Sequence, residues 1–117
     1  MKLLFFVLNK TEKLDEVLVE FVNRNITGAT VIDSAGMARL LSNNHDNAEI
    51  PFLGSLRNYL YPEREKSYTI LTVIEDNQLE AAIEAIEMVV GDLLEKDTGI
   101  VFSVPIDFMK GIYKSGK

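Results

Sequence analysis

In this chain of 117 residues, the single histidine marks the only stretch in which an imidazole and carboxylates could bind a metal ion together. His45, Asp46 and Glu49 lie in one polar stretch, and an imidazole with two carboxylates is a donor set for a divalent cation. Because polar residues in such stretches are usually only solvated, we predict no metal site. The chain has no cysteine and one histidine, which excludes disulfides, thiolate metal sites, cysteine nucleophiles and two-histidine mechanisms.

The other polar residues do not form a recognisable catalytic constellation. The sequence contains neither a GxGxxG nor a Walker A motif. Glu80, Glu84 and Glu87 fall on the outer side of a predicted helix, where carboxylates are solvated, and no motif pairs Asp33 with Glu75. Since no nucleophile, base and orienting group can be assembled from these spacings, we expect no enzymatic activity.

The composition indicates one globular domain covering residues 1–117. Hydrophobic residues make up 47% and charged residues 26%, as in ordinary globular proteins. Eighteen acidic and twelve basic residues give a net charge of -6, which disfavours general binding to nucleic acid or to anionic membranes. The apolar run at residues 3–8 is too short for a membrane span or a signal peptide. We therefore expect a cytoplasmic protein.

The hydrophobic periodicity predicts six elements. Repeats of three and four residues predict helices over residues 11–25 and 78–94. Short apolar runs, rich in β-branched and aromatic residues, predict strands over residues 2–9, 29–35, 68–75 and 100–104. This order, with right-handed crossovers, predicts an α+β fold: a ferredoxin-like βαββαβ sandwich with a four-stranded antiparallel sheet and two helices on one face.

The predicted sheet is apolar on both faces, although two helices can cover only one of them. Odd and even positions of a strand point to opposite faces, and residues 3–8 are apolar at both. In the third strand, the neighbouring apolar residues Ile70 and Leu71 likewise point to opposite faces. Exposed, this second face would be an unusually large apolar patch for a monomer. We expect it to be buried by oligomerisation. The alternative is that the C-terminal tail, residues 106–117, folds back over it.

The connection between the second and third strands is unusually long. Residues 36–67 form an arm of 32 residues, whereas connections above about 15 residues are usually functional or disordered. Residues 42–49 are polar, but apolar residues at helical spacing after Pro51 predict a short amphipathic helix. This helix either packs on its own domain or docks on a partner. Its candidate partner-binding residues are Phe52, Leu53, Leu56, Arg57, Tyr59 and Tyr61.

Two segments of the sequence resemble the PII family of signalling proteins. Residues 30–39 (TVIDSAGMAR) resemble the family's second strand and the Gly-Phe-Gly-Arg opening of its T-loop. Residues 99–105 (GIVFSVP) are similar to its last strand, Gly-Lys-Ile-Phe-Val-x-Pro. The order of elements and the T-loop-like arm extend the resemblance over the whole chain. It implies a homotrimer whose sheets pack around the threefold axis.

The resemblance implies a regulator that is not a catalyst. In the family, ATP or ADP binds in clefts between subunits at the base of the T-loop, and that loop engages transporters or enzymes. For this chain it implies a small effector, with an adenine nucleotide as a candidate, and a protein target such as a membrane transporter or an enzyme. Nucleic acid and membrane insertion are not implied. The implied cofactor-binding residues are Gly36, Met37, Ala38, Arg39, Gly99 and Lys114.

The chain departs from the family at the phosphate-binding turn, which in the family ends in Gly-Asp-Gly-Lys. Here Ile100 stands in place of the lysine, and Glu95 and Asp97 would repel a polyphosphate. The cofactor is therefore left open. Two alternatives to the regulator also stay open: a structural or interaction trimer without a ligand, and a CutA-like metal-binding trimer of the same architecture.

Overall fold

The computed structural model describes residues 1–37, 66–95 and 98–111. Short 3-10 turns precede both helices. The elements in chain order are β1 (Lys2–Leu8), α1 (Leu14–Asn23), β2 (Thr30–Ser34), β3 (Ser67–Ile74), α2 (Leu79–Val90) and β4 (Gly99–Pro105). The predicted βαββαβ order is confirmed, and no predicted strand end is wrong by more than one residue. Within the described ranges, no helix reaches the length and hydropathy that crossing a bilayer requires.

The four strands form one antiparallel sheet in the order β2-β3-β1-β4. The central strand β1 places Phe5 opposite Leu71 of β3 and opposite Phe102 of β4. The end of β2 and the start of β4 therefore lie at the same end of the sheet but at opposite edges, with β3 and β1 between them. This is the arrangement of a ferredoxin-like sandwich, as predicted.

The core lies between the sheet and the two helices, which pack against each other on one face. Every second residue of β1 is buried there, and so are Ile70 and Ile74 of β3. The helices contribute Val17, Phe21, Ala82, Ala85, Ile86 and Val90. Burial on this side and partial exposure on the other follow from the period of two along each strand.

The helix ends differ from the predicted ranges. α1 ends at Asn23. Two residues later, Asn25 adopts a left-handed backbone conformation with a φ of 63°. α2 ends at Val90 because Gly91 has a φ of 89°, which glycine adopts without the cost of a side chain. Lys10 Nζ donates a hydrogen bond of 2.9 Å to the Val90 carbonyl. This contact satisfies one carbonyl that the helix itself leaves without a partner.

Thr72 is a polar side chain inside the core. It is 2% exposed, and its Oγ1 has no hydrogen-bond partner within the described part of the chain. An unsatisfied buried hydroxyl costs about 1–3 kcal/mol. We expect Thr72→Val, which keeps the shape, to raise the free energy of unfolding by about 1 kcal/mol. Urea denaturation at fixed protein concentration measures this change.

Thr69→Val is the matched control on the same strand. The Thr69 hydroxyl lies on the opposite face and donates a hydrogen bond of 3.0 Å to Ser34 Oγ. Because this substitution removes a hydrogen bond that is made, it should leave stability unchanged or lower it. A Thr72→Val protein that is less stable than the parent would show that the Thr72 hydroxyl does have a partner.

Candidate functional site

A pocket of about 270 Å³ opens where β2 ends and β3 begins. Asp33, Ser34 and Ala35 line it from the β2 side, and Lys66 and Ser67 line it from the β3 side. Strand pairing places Ser34 directly opposite Ser67. The pocket therefore lies at the root of the long connection, and side chains of both charges and two serines line it.

Three hydroxyl groups form a hydrogen-bonded cluster beside this pocket. The Oγ atoms of Ser34 and Ser67 are 2.8 Å apart, and Thr69 Oγ1 donates to Ser34 Oγ at 3.0 Å. Ser67 is only 6% exposed although it is the first residue of β3. The cluster ties the two strand ends together across the connection, so it holds the wall of the pocket in place.

The structure places two of the predicted cofactor-binding residues next to this pocket. Gly36 and Met37 follow Ala35 directly, and both are exposed. A Cβ atom on Gly36 would meet nothing within 4 Å, so neither close packing nor a left-handed φ demands glycine here. The predicted Ala38, Arg39 and Lys114 lie outside the described residues.

Gly99 lies at the same end of the sheet as the pocket but not beside it. It starts β4 and pairs with Leu8 of β1, so β1 and β3 separate it from the end of β2. Three strand spacings of about 4.8 Å give a separation of about 14 Å. One chain therefore does not bring Gly36 and Gly99 into a single cleft.

Gly99 has a structural reason to be glycine. Its φ is 135°, and a Cβ atom there would collide with the Val7 carbonyl oxygen and lie 3.1 Å from the Phe6 ring. β4 can approach the central strand this closely only without a side chain. The resemblance to the phosphate-binding turn did not indicate that packing requires glycine at position 99, because a sequence alone does not reveal the backbone φ of a glycine.

The sheet face opposite the helices carries apolar side chains from all four strands. β1 and β3 contribute the alternating residues predicted from the sequence, and Phe5 stacks on Phe102 with ring centroids 4.7 Å apart and planes 9° from parallel. We call this surface the open face. It comprises Leu3, Phe5, Val7, Ile32, Leu71, Val73, Ile100, Phe102 and Val104.

The outer strands make a larger contribution to the open face than the sequence analysis assigned. Phe102 is 46% exposed, and Ile32, Ile100 and Val104 are also well exposed. The alternation Ile100, Phe102, Val104 was the signal that would have identified β4 as part of this face. The alternative prediction was that the C-terminal tail folds back over this face. Phe108 of the tail does not contribute to such a cover, since it is 79% exposed. Residues 112–117 lie outside the described part.

Among the described residues, no group of three or more His, Cys, Asp or Glu side chains could hold a metal ion. His45, Asp46 and Glu49 lie outside them, as do all the predicted partner-binding residues of the arm. The Met1 ammonium group, 3.1 Å from Asp76 Oδ1, lowers the pKa of that carboxyl by hydrogen bonding and by charge. Asp76 follows β3 at the opposite end of the sheet, so it is not part of the pocket.

No protein-family model matches this chain, and no curated protein matches it either. The observations that bear on function are therefore the pocket at the root of the long connection, the open face, and the likeness of two sequence segments to one signalling family.

Proposed function

We propose that this protein is a non-enzymatic, PII-like regulator that acts in the cytoplasm as a homotrimer. It binds a small effector in clefts between subunits and engages a protein target through the 36–67 arm. The open face is the observation that supports this proposal most strongly. Nine apolar side chains of a four-stranded sheet lie on it together, and apolar patches beyond about 300–600 Å² are uncommon on monomers and mark interaction sites.

A cyclic assembly also suits the positions of the predicted effector-binding residues. In a closed ring, one edge of each subunit lies next to the other edge of its neighbour. Gly36 and Met37 at the β2 edge of one subunit would then face Gly99 at the β4 edge of the next. The pocket of about 270 Å³ is below the 300–1,000 Å³ of usual ligand sites, so a neighbouring subunit would complete it.

The charges at this end of the sheet favour an effector with few phosphate groups. Asp33 and Lys66 line the pocket together, and Ile100 occupies the position at which the family has its phosphate-binding lysine. A polyphosphate needs concentrated positive charge or a nest of backbone N–H groups. We therefore propose an adenine nucleotide of low charge, such as AMP or a cyclic nucleotide, in preference to ATP.

Thermal unfolding with a panel of ligands tests this function. The panel contains ATP, ADP, AMP, cyclic nucleotides, 2-oxoglutarate and divalent cations. A ligand that binds only the folded state stabilises it by about 2.7 kcal/mol at 100 times its Kd, which raises the Tm by several degrees. We expect this shift with one adenine nucleotide, its loss in Arg39→Ala, and its retention in the control Arg57→Ala.

The other outcomes of the panel separate the alternatives. A flat response would contradict the effector site and favour a trimer with a purely structural or interaction role. The structural requirement for glycine at position 99 is the observation that favours this second candidate, since it explains one predicted cofactor residue without a ligand. A shift with divalent cations alone would favour the CutA-like metal-binding trimer.

A further inference from the structure

The two helices form a negatively charged layer on the side of the sheet opposite the open face. Neither helix contains a lysine or an arginine. Lys13 pairs with Glu16 at 3.6 Å, and Arg24 pairs with Glu20, but both bases stand outside the helices. The carboxylates on the helices are Asp15, Glu16, Glu20, Glu80, Glu84 and Glu87. The layer therefore has a clear excess of negative charge.

A groove of about 310 Å³ lies between the helices within this layer. Its apolar residues are Val19 of α1 and Met88 and Val89 of α2, and Val19 and Met88 are 57% and 65% exposed. Asp15, Glu16 and Glu20 form the acidic rim on the α1 side. Exposed apolar side chains that share one groove and are rimmed by polar residues are typical of protein interaction sites.

From this groove we infer a docking site for a basic amphipathic helix of a partner protein. The groove is lined by residues 15–20 of α1 and by Met88 and Val89 of α2, and six helical residues at 1.5 Å per residue span about 9 Å. That length matches between one and two turns of a docked helix, whose apolar positions i, i+3 and i+4 would lie on Val19 and Met88. Lysine and arginine beside those positions would face the acidic rim.

The negative charge of this layer also disfavours binding of a second copy of the protein in the groove through the same surface. Two acidic layers would repel each other, and an anionic membrane would be repelled as well. The groove faces away from the open face, so it remains accessible when the open face is buried. None of the residues that line the groove belongs to the open face or to the pocket at the end of β2.

A synthetic 14-residue peptide of leucine and lysine in an amphipathic helical pattern is the probe. Its control is a peptide of the same composition with the leucines spread around the helix. Fluorescence anisotropy measures binding to the full chain, and ¹⁵N amide shifts map the site. We expect micromolar binding of the patterned peptide, at least tenfold weaker binding of the control peptide, weakening with added salt, and shifts concentrated in α1 and α2.

Paired variants separate the two contributions. The apolar pair Val19→Ser with Met88→Ser should weaken binding at least tenfold, whereas Leu94→Ser, at a residue that is 91% exposed outside the groove, should not. Asp15→Asn with Glu16→Gln should weaken binding and reduce its salt dependence, whereas Asp107→Asn should not. Circular dichroism verifies that each variant is folded.

Three results would overturn the docking site: equal binding of both peptides, amide shifts confined to the open face, or binding that survives the Val19 and Met88 substitutions. None of them would bear on the effector panel, because that experiment reports on the pocket at the end of β2, which shares no lining residue with the groove. Conversely, a flat effector panel would leave the peptide result unaffected.

Discussion

Phe102→Glu is expected to convert the assembly into folded monomers. Phe102 stands midway along β4 at one edge of the open face, and it is 46% exposed in the single chain. Burial of such a ring contributes about 1.5–3 kcal/mol, and an unpaired carboxylate in an apolar interface adds a further penalty of several kcal/mol. Together these effects should weaken association at least about a thousandfold. Sedimentation velocity measures the mass of the particle.

The variant monomer should keep its fold because Phe102 lies outside the core. Its loss removes the stacking on Phe5, a contact worth about 0.5–1.5 kcal/mol, so unfolding should need slightly less urea. Val22→Glu is the control: Val22 is 57% exposed on α1, and this substitution introduces the same charge on the helical side. It should leave the mass unchanged. A parent protein that already sediments as a monomer would refute burial of the open face by self-association.

The fold could be predicted because its signals are local and periodic. Alternation along residues 3–8 and repeats of three and four residues over 78–94 are set by burial on one side of each element. Val22 belongs to the repeat of three and four residues over 11–25, yet it is 57% exposed on the outside of α1. A helical wheel gives the spacing of apolar residues but not how wide a face the sheet will cover.

The site was less predictable because it depends on partners that are distant in the sequence. The hydrogen bond between Ser34 and Ser67 joins residues at the two ends of the long connection, and the resemblance of residues 30–39 implied no role for Ser34. The stacking of Phe5 on Phe102 likewise depends on the pairing of β1 with β4. Single-strand patterns contain no information on register across such distances, so these contacts became evident only in the folded chain.

Gly99→Ala is expected to lower the free energy of unfolding by about 3 kcal/mol. A non-glycine residue in a sparsely populated backbone region costs about 1–3 kcal/mol, and the added methyl group must also displace the Val7 carbonyl, which is fixed in the central strand. The β1–β4 pairing would have to open at this end of the sheet. Urea denaturation of the variant measures the loss, and amide hydrogen exchange along β4 localises it.

Gly28→Ala is the control, since a Cβ atom there would meet nothing within 4 Å. Its unfolding free energy should stay within about 1 kcal/mol of the parent, because the main effect of such a change is lower entropy of the unfolded chain. If Gly99→Ala were instead fully stable and had lost only the effector-induced thermal shift, glycine at this position would serve a ligand. If stability falls as expected, the loss of a shift in that variant cannot identify Gly99 as a binding residue. Arg39→Ala is then the variant that decides between an effector-binding regulator and a trimer without a ligand.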